Sequence, residues 1–553
     1  MNQNRLFLGC FVSLIATAFA FMVRASVLSE LATEFELSSE QVGYIGVGAG
    51  LYPFAISIIL LSLVIDKIGY GRAMVFAFLA HLISTVLMIF ANSFQMLYWA
   101  TFLFALANGT VEAVINPVVA TVYSKNKTHW LNILHAGWPG GLVLAGLLSI
   151  VVSLAVGMFV GESADGTPVY TWRYQMVLLL LPTLLYGFLL FGQKFPVQER
   201  VSAGVSYMEM LKEFGTASCV IVCFLLAAGV DQILLTQSTP EKPMSLSIAL
   251  DLQGTIESAS ETIPEGVAKM IMYLGLALIP SIVFGAIVRT FGRFMFVFLL
   301  LVMLLLATTE LGTDGWIPDI VGTITANPLV GTLALVYTSL IMFVLRFFAG
   351  PIVHRISPLG LLAVCAGIAT AGLLWLSNAG TALSILFLAA TLYGVGKTFF
   401  WPTTLGVVSE QYPKGGALML NAIAGVGMLA VGTLGGPLIG TVQDRSLESQ
   451  LLAEDPELHE QIMVEKAGLL GQYNSADASR VPEDQKPQFD EMLIEAKQST
   501  LGKIAVLPAI MFVGYMGLIF YFRSKGGYKA EVLTGHAADD EEFTGGTEGP
   551  GEA

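Results

Sequence analysis

Charge is what this chain has least of. Asp, Glu, Lys and Arg make up only 12% of its 553 residues, against about 25% in ordinary soluble domains, which excludes a water-soluble globule. Cysteine is almost missing as well. Cys10, Cys219, Cys223 and Cys365 all fall inside apolar stretches, where they read as small packed residues; Cys219 and Cys223 lack the companions a metal or disulfide framework needs. Phosphate-binding loops are absent too. Gly394-Val395-Gly396-Lys397-Thr398 copies the end of one, but the motif needs a glycine where Thr391 stands, and an aqueous strand, loop and helix. No cofactor, metal, nucleotide or nucleic acid is therefore expected, and any work must draw on an ion or solute gradient.

What is present is apolar. Hydrophobic residues account for 55% of the chain and the mean hydropathy is +0.74, the composition of a multispanning membrane protein in contact with the lipid bilayer. At about 20 residues per crossing, fourteen helices fit, beginning with Leu6–Arg24 and including Met96–Tyr123 as the fourth, Phe294–Thr309 as the ninth, Ala382–Val408 as the twelfth, Ala417–Val442 as the thirteenth and Lys503–Phe522 as the last. Arg5 and the run ending near Ala16-Thr17-Ala18 imitate a cleavable leader. Placing the N-terminus inside puts Lys67, Arg72, Lys125, Lys127, Arg200, Arg355 and Arg523 on the cytoplasmic side, as the positive-inside rule asks. The first helix is thus read as retained, with both termini cytoplasmic and the protein in the cell (inner) membrane. The net charge of −14 gathers after Val442 and in Asp539–Glu542, a solvated acidic surface.

Landmarks recur about 285 to 289 positions apart. Gly109, Glu112, Asn116 and Pro117 are answered by Gly394, Lys397, Trp401 and Pro402; Asp66-Lys67-Ile68-Gly69 by His354-Arg355-Ile356-Ser357; and Leu131-Asn132 by Leu420-Asn421. Six helices need about 200 residues, so the offset implies an insertion. The reading is an all-α protein with a six-helix bundle over 1–191, a cytoplasmic connector 192–216, an inserted transmembrane hairpin 217–293, a second six-helix bundle 294–522 with an outer loop 443–502, and a disordered acidic tail 523–553. A short amphipathic helix is expected around Leu451–Leu470.

Polar residues inside these helices are the candidates for function, because lipid solvates them poorly. Residues four apart share a helix face, so Asn108, Glu112 and Asn116 form one stripe and Tyr393, Lys397 and Trp401 its counterpart. Asn132, His135 and Trp138 follow on the fifth helix, and Asn421 on its repeat. A chamber lined this way suits a polyhydroxylated solute; the alternative is that these groups only tie helices together by hydrogen bonds. Burial opposes ionisation of a carboxyl and a nearby cation favours it. If Arg24, His135 or Lys397 nears Glu112 in one conformation and leaves it in another, Glu112 becomes a proton carrier. Asp66 and Arg72 are candidate gating residues. Glu310, Asp314 and Trp316 lie where the ninth helix meets its outer loop, Glu310 and Asp314 one turn apart; they are either a solvated helix end, or an outer gate or part of the sugar site. Gly46 and Gly50 read as close helix packing or gating flexibility.

Asp66-Lys67-x-Gly69 with Arg72 resembles the signature loop of the major facilitator superfamily. Glu112-Ala113-Val114-Ile115-Asn116-Pro117, followed by Leu131-Asn132, is similar to the fourth-helix motif of its fucose, galactose and glucose proton symporter branch. The resemblance implies two bundles rocking about a central cavity, no enzyme activity, and Glu112 in the sugar and proton site. Arg24-Ala25 stands where that branch has an acidic residue, and His135, Trp138 and Lys397 are further departures. They bring a sugar acid or other anion into competition with a neutral sugar. The expectation is a proton-coupled importer of a sugar or sugar-like solute; the alternatives are an exporter or antiporter, a carrier of organic anions, and a non-transporting sensor.

Overall fold

In lipid a backbone must satisfy its polar groups within its own segment, so long apolar runs fold as helices. The computed structural model describes residues 2–37, 39–159, 170–237, 244–260, 262–468, 471–531 and 533. Among these, fourteen helices are long and apolar enough to cross a membrane: Gln3–Glu34, Gln41–Ile68, Tyr70–Ile89, Phe94–Val122, Lys127–Met158, Trp172–Leu190, Tyr207–Leu235, Glu265–Val288, Phe294–Ile324, Pro328–Arg346, Pro358–Leu376, Leu383–Gln411, Pro413–Glu454 and Lys486–Ser524. They are numbered span 1 to span 14 below.

The sequence repeat is also a packing repeat. Span 1 packs on spans 5 and 6, span 2 on span 4, and span 3 on span 4; eight spans later, span 9 packs on 13 and 14, span 10 on 12, and span 11 on 12. Across the middle, span 2 lies on span 13 and span 10 on span 5. The core therefore runs between the two sets, and among the described spans the apolar stretch of span 13 is the most enclosed.

Spans 7 and 8 pair with each other, and span 7 leans on spans 9 and 13. The chain enters and leaves this pair at one place. Gly215 and Gly292 have φ of +69° and +88° and sit back to back, where any side chain on Gly215 would strike the Gly292 backbone. Arg293 closes the junction on Glu213 at 2.6 and 2.8 Å.

Three expectations fail here. Span 9 does not end at Thr309: a π-helical turn, Thr308–Gly312, carries it on to Ile324, so Glu310 and Asp314 lie within the span. The region around Leu451–Leu470 is not one amphipathic helix. Span 13 runs to Glu454, Asp455 caps a short helix Pro456–Ile462 by accepting from the Leu458 N–H at 3.0 Å, and two antiparallel strands follow, Met463–Gly468 and Gly471–Ala476, with Glu465 opposite Asn474. Leu447, Leu451, Leu458, Ile462, Phe489 and Met492 give this cap a small core of its own. Finally, the start of the expected disordered tail is ordered. Tyr528 donates to Glu410 at 2.8 Å, the Glu531 N–H to the Glu410 carbonyl at 2.8 Å, and Gln411 to the Lys529 carbonyl at 2.8 Å. Residues 532 and 534–553 lie outside the described residues.

Candidate functional site

Span 4 is interrupted by Pro117, which has no N–H to give the carbonyl of Ala113 one turn earlier. Asn421 of span 13 supplies the missing donor at 3.0 Å. The same problem arises at Pro402 in span 12, whose upstream carbonyl is Thr398, and at Pro139 in span 5, whose upstream carbonyl is His135. One residue answers both. Arg346, at the end of span 10, donates Nε to the Thr398 carbonyl at 2.7 Å and Nη1 to the His135 carbonyl at 2.6 Å. Its Nη2 meets Glu310 at 2.8 Å, and the second oxygen of Glu310 accepts from the Trp401 N–H at 3.1 Å. Arg346 is 1% exposed and clasps the two bundles at their centre.

Around this clasp lies a small central chamber of about 20 Å³, bordered by Glu112, His135, Trp138, Glu310, Arg346 and Trp401. Glu112 accepts from the Asn116 amide at 2.7 Å, and the Asn116 oxygen bonds His135 Nε2 at 2.9 Å. A polar chain thus runs from Glu310 through Arg346 and His135 to Asn116 and Glu112. A wider vestibule of about 240 Å³ adjoins it, sharing Trp138, Leu311 and Met428 and adding Phe21, Arg24, Gly46 and Trp316. Spans 2, 9 and 13 each carry a π-helical turn beside these cavities, at Tyr44–Gly48, Thr308–Gly312 and Val431–Gly435, a feature frequent at functional sites.

At the other end, the one bearing Asp66, the bundle is sealed. Lys127 of span 5 pairs with Glu199 at 2.6 Å and donates to the Ser409 carbonyl at 3.2 Å. Thr128 bonds Glu410 of span 12 through its N–H at 3.1 Å and through its hydroxyl. Asn132 reaches Thr403 at 3.2 Å. Asp66 pairs with Arg200.

The Major Facilitator Superfamily model matches residues 9–312, more than half of the chain. The chain belongs to the Major Facilitator Superfamily. It is accordingly a membrane transporter and not an enzyme. No curated protein sequence matches it. Among solved structures it is similar to the proton:xylose symporter XylE bound to 6-bromo-6-deoxy-D-glucose, at 12% identity over 92% of this chain and 94% of that one, with a TM-score of 0.59. FucP in the outward conformation matches at 14% identity, 92% and 98% coverage and a TM-score of 0.54. The human organic anion transporter MFSD10 matches at 11% identity, 93% and 100% coverage and a TM-score of 0.55. At these identities the likeness is one of fold.

Within this superfamily fold, Glu112, His135, Trp138 and Trp401 border the chamber, with Asn116 behind Glu112. Arg24 and Trp138 border the vestibule. Glu310, expected as a gate, also borders the chamber; the remaining expected residues lie elsewhere. Lys397 is fully buried and pairs with Asp314 of span 9, not with Glu112; Tyr393 lies beside it, its hydroxyl held by Thr309 and Thr313. Asn108 turns away to His81 at 2.9 Å, which also bonds Tyr186 at 2.9 Å. Asn132 belongs to the sealed end, and Asn421 to the Pro117 break. Glu310 and Asp314 are buried ion-pair partners, not a solvated helix end. Arg72 is exposed, and Asp66 takes Arg200 rather than Arg72 as its partner. Sequence reasoning missed Arg346, although Pro139 and Pro402 each advertise a carbonyl in need of a donor.

Proposed function

We propose that the chain is a proton-coupled secondary transporter of a small sugar-like solute, with Glu112 as the proton carrier. One observation carries this reading. Of the two carboxyl groups bordering the chamber, Glu310 has Arg346, whereas Glu112 has only the Asn116 amide among the described residues. An ion inside a membrane is costly without a counter-charge, and a proton is the counter-charge available to Glu112. Trp138 and Trp401 offer flat faces for the apolar side of a sugar ring. The proton:xylose symporter XylE and FucP share the fold.

Alternating access follows from the repeat. With the N-terminus inside, the sealed Asp66 end is cytoplasmic, the vestibule opens outward, and the conformation is outward-facing in the cell (inner) membrane. In this scheme 1–191 and 294–522 are the rocking bundles, 192–216 the connector, and 217–293 an insertion, supported by the single entry and exit point at Gly215 and Gly292. Asn116 and His135 position Glu112; the clasp at Arg346 and the contacts of Lys127, Thr128 and Asn132 are what must break for the inner end to open.

The test is uptake of labelled sugars and sugar acids into vesicles holding the purified protein, with an imposed pH gradient. Gradient-driven accumulation is expected, and Glu112→Gln abolishes it while leaving solute exchange in the absence of a gradient. Accumulation that ignores the gradient, or unchanged pH dependence in Glu112→Gln, removes the proton role. No uptake of any solute favours an exporter or a sensor.

A further inference from the structure

We propose that the vestibule is an anion site in which Arg24 holds the carboxylate of a small acidic solute between the indoles of Trp138 and Trp316. This rests on reading the protein as a solute carrier and names the class of its solute.

Three cations stand near the central cavities, Arg346 and Lys397 buried and Arg24 half-buried, and they are not alike. Arg346 has Glu310 and Lys397 has Asp314. Arg24 has neither a hydrogen-bond nor an ion-pair partner among the described residues, and its guanidinium lies over the face of Phe21, 5.9 Å away. Among the described residues no carboxylate lines the vestibule. A charged side chain within a membrane helix is held at a cost, and it ordinarily faces a cavity or finds a partner. Here it faces a cavity and the partner is missing.

The place is built for it. Gly50 of span 2 gives the guanidinium room: a Cβ there would lie 2.7 Å from Arg24 Nη2. Beside it, Trp138 is nine-tenths buried, and its indole N–H has no acceptor among the described residues. A guanidinium and a residue with an idle N–H donor bordering one cavity fit a carboxylate, which accepts several hydrogen bonds and pairs with Arg in a two-pronged geometry. The remaining walls, Phe21, Leu28, Trp316 and Met428, are apolar and suit the carbon body of the solute. The volume of about 240 Å³ lies below the roughly 300 to 1,000 Å³ of pockets for drug-sized ligands, so the solute is small.

The experiment is a tryptophan-fluorescence titration of the full chain in nanodiscs with D-gluconate, D-glucuronate, L-lactate and D-glucose. Saturable binding of at least one acid is expected, together with a weaker response to glucose. Arg24→Gln raises the Kd of that acid about 30-fold or more, the loss seen when one member of a buried charge pair is removed. Ala25→Glu, which sets a carboxylate beside Arg24 in the vestibule, raises it as well and serves if Arg24→Gln does not fold. Glucose binding as tightly as the acids, no saturable binding by any acid, or an unchanged Kd in the folded variants overturns the proposal. Failure here is separable from failure of proton coupling. Gradient-driven glucose uptake that survives Arg24→Gln but not Glu112→Gln removes the anion site alone; an acid bound through Arg24 whose uptake ignores the pH gradient removes the coupling alone.

Discussion

Replacing Arg346 by Met keeps an unbranched apolar stem that stops short of the guanidinium's Nη atoms, and deletes all its donors. Removing one member of a buried ion pair costs about 3–5 kcal/mol, and each stranded carbonyl costs about 1–3 kcal/mol. The shorter Met leaves room for a water molecule beside the His135 and Thr398 carbonyls, so the low end applies to them, and the whole loss comes to about 5 kcal/mol. Pairing Arg346→Met with Glu310→Gln removes the lone charge and leaves only the two carbonyls, so most of the loss returns and about 2 kcal/mol remains. Arg346→Lys falls between, because one ammonium does not span three acceptors that a planar guanidinium reaches at once. The assay is the apparent unfolding midpoint of purified protein in one detergent, read as a ranking. The order expected is wild type, then the double variant, then Arg346→Met. A single variant as stable as wild type, or a double variant no better than the single one, refutes the clasp.

The sealed end and the peripheral network give further tests. A Cβ at Gly406 would come within 2.8 Å of the Thr128 backbone, so Gly406→Leu should hold spans 5 and 12 apart; reaction of Thr403→Cys with an impermeant thiol reagent from that side should rise several-fold, and unchanged labelling counts against the seal. His81→Ala strips the partners of Asn108 and Tyr186 and should cost about 2–4 kcal/mol of stability while solute affinity stays the same; a large loss of affinity would return Asn108 to the binding site.

The fold was legible because hydropathy alone locates crossings, and because the repeat tied Gly109-Glu112-Asn116-Pro117 to Gly394-Lys397-Trp401-Pro402. Glu112, His135 and Trp138 were legible for the same reason: polar groups in an apolar run have nowhere to go but a cavity. The partners were not. A cluster of Glu310, Asp314 and Trp316 looks like a helix boundary, and nothing local reveals that a π-helical turn carries the helix onward. Lys397 then lacked its true acid, and Glu112 was the only one in view. Arg346 went unnoticed because an arginine near the end of an apolar run resembles one that snorkels to the interface.

Beyond the turn Pro413–Gly415, span 13 is helical from Gly416 to Glu454, 39 residues, or about 60 Å at 1.5 Å per residue, twice the roughly 30 Å hydrocarbon thickness. Its inner part lies against the first bundle and its tip carries the small cap. A helix of that length is a pointer. A tilt of about 10° within the membrane swings a tip some 30 Å away by about 5 Å. Binders raised against the cap, or paired labels on it, would therefore sort and report the states of the transporter without touching the path of the solute.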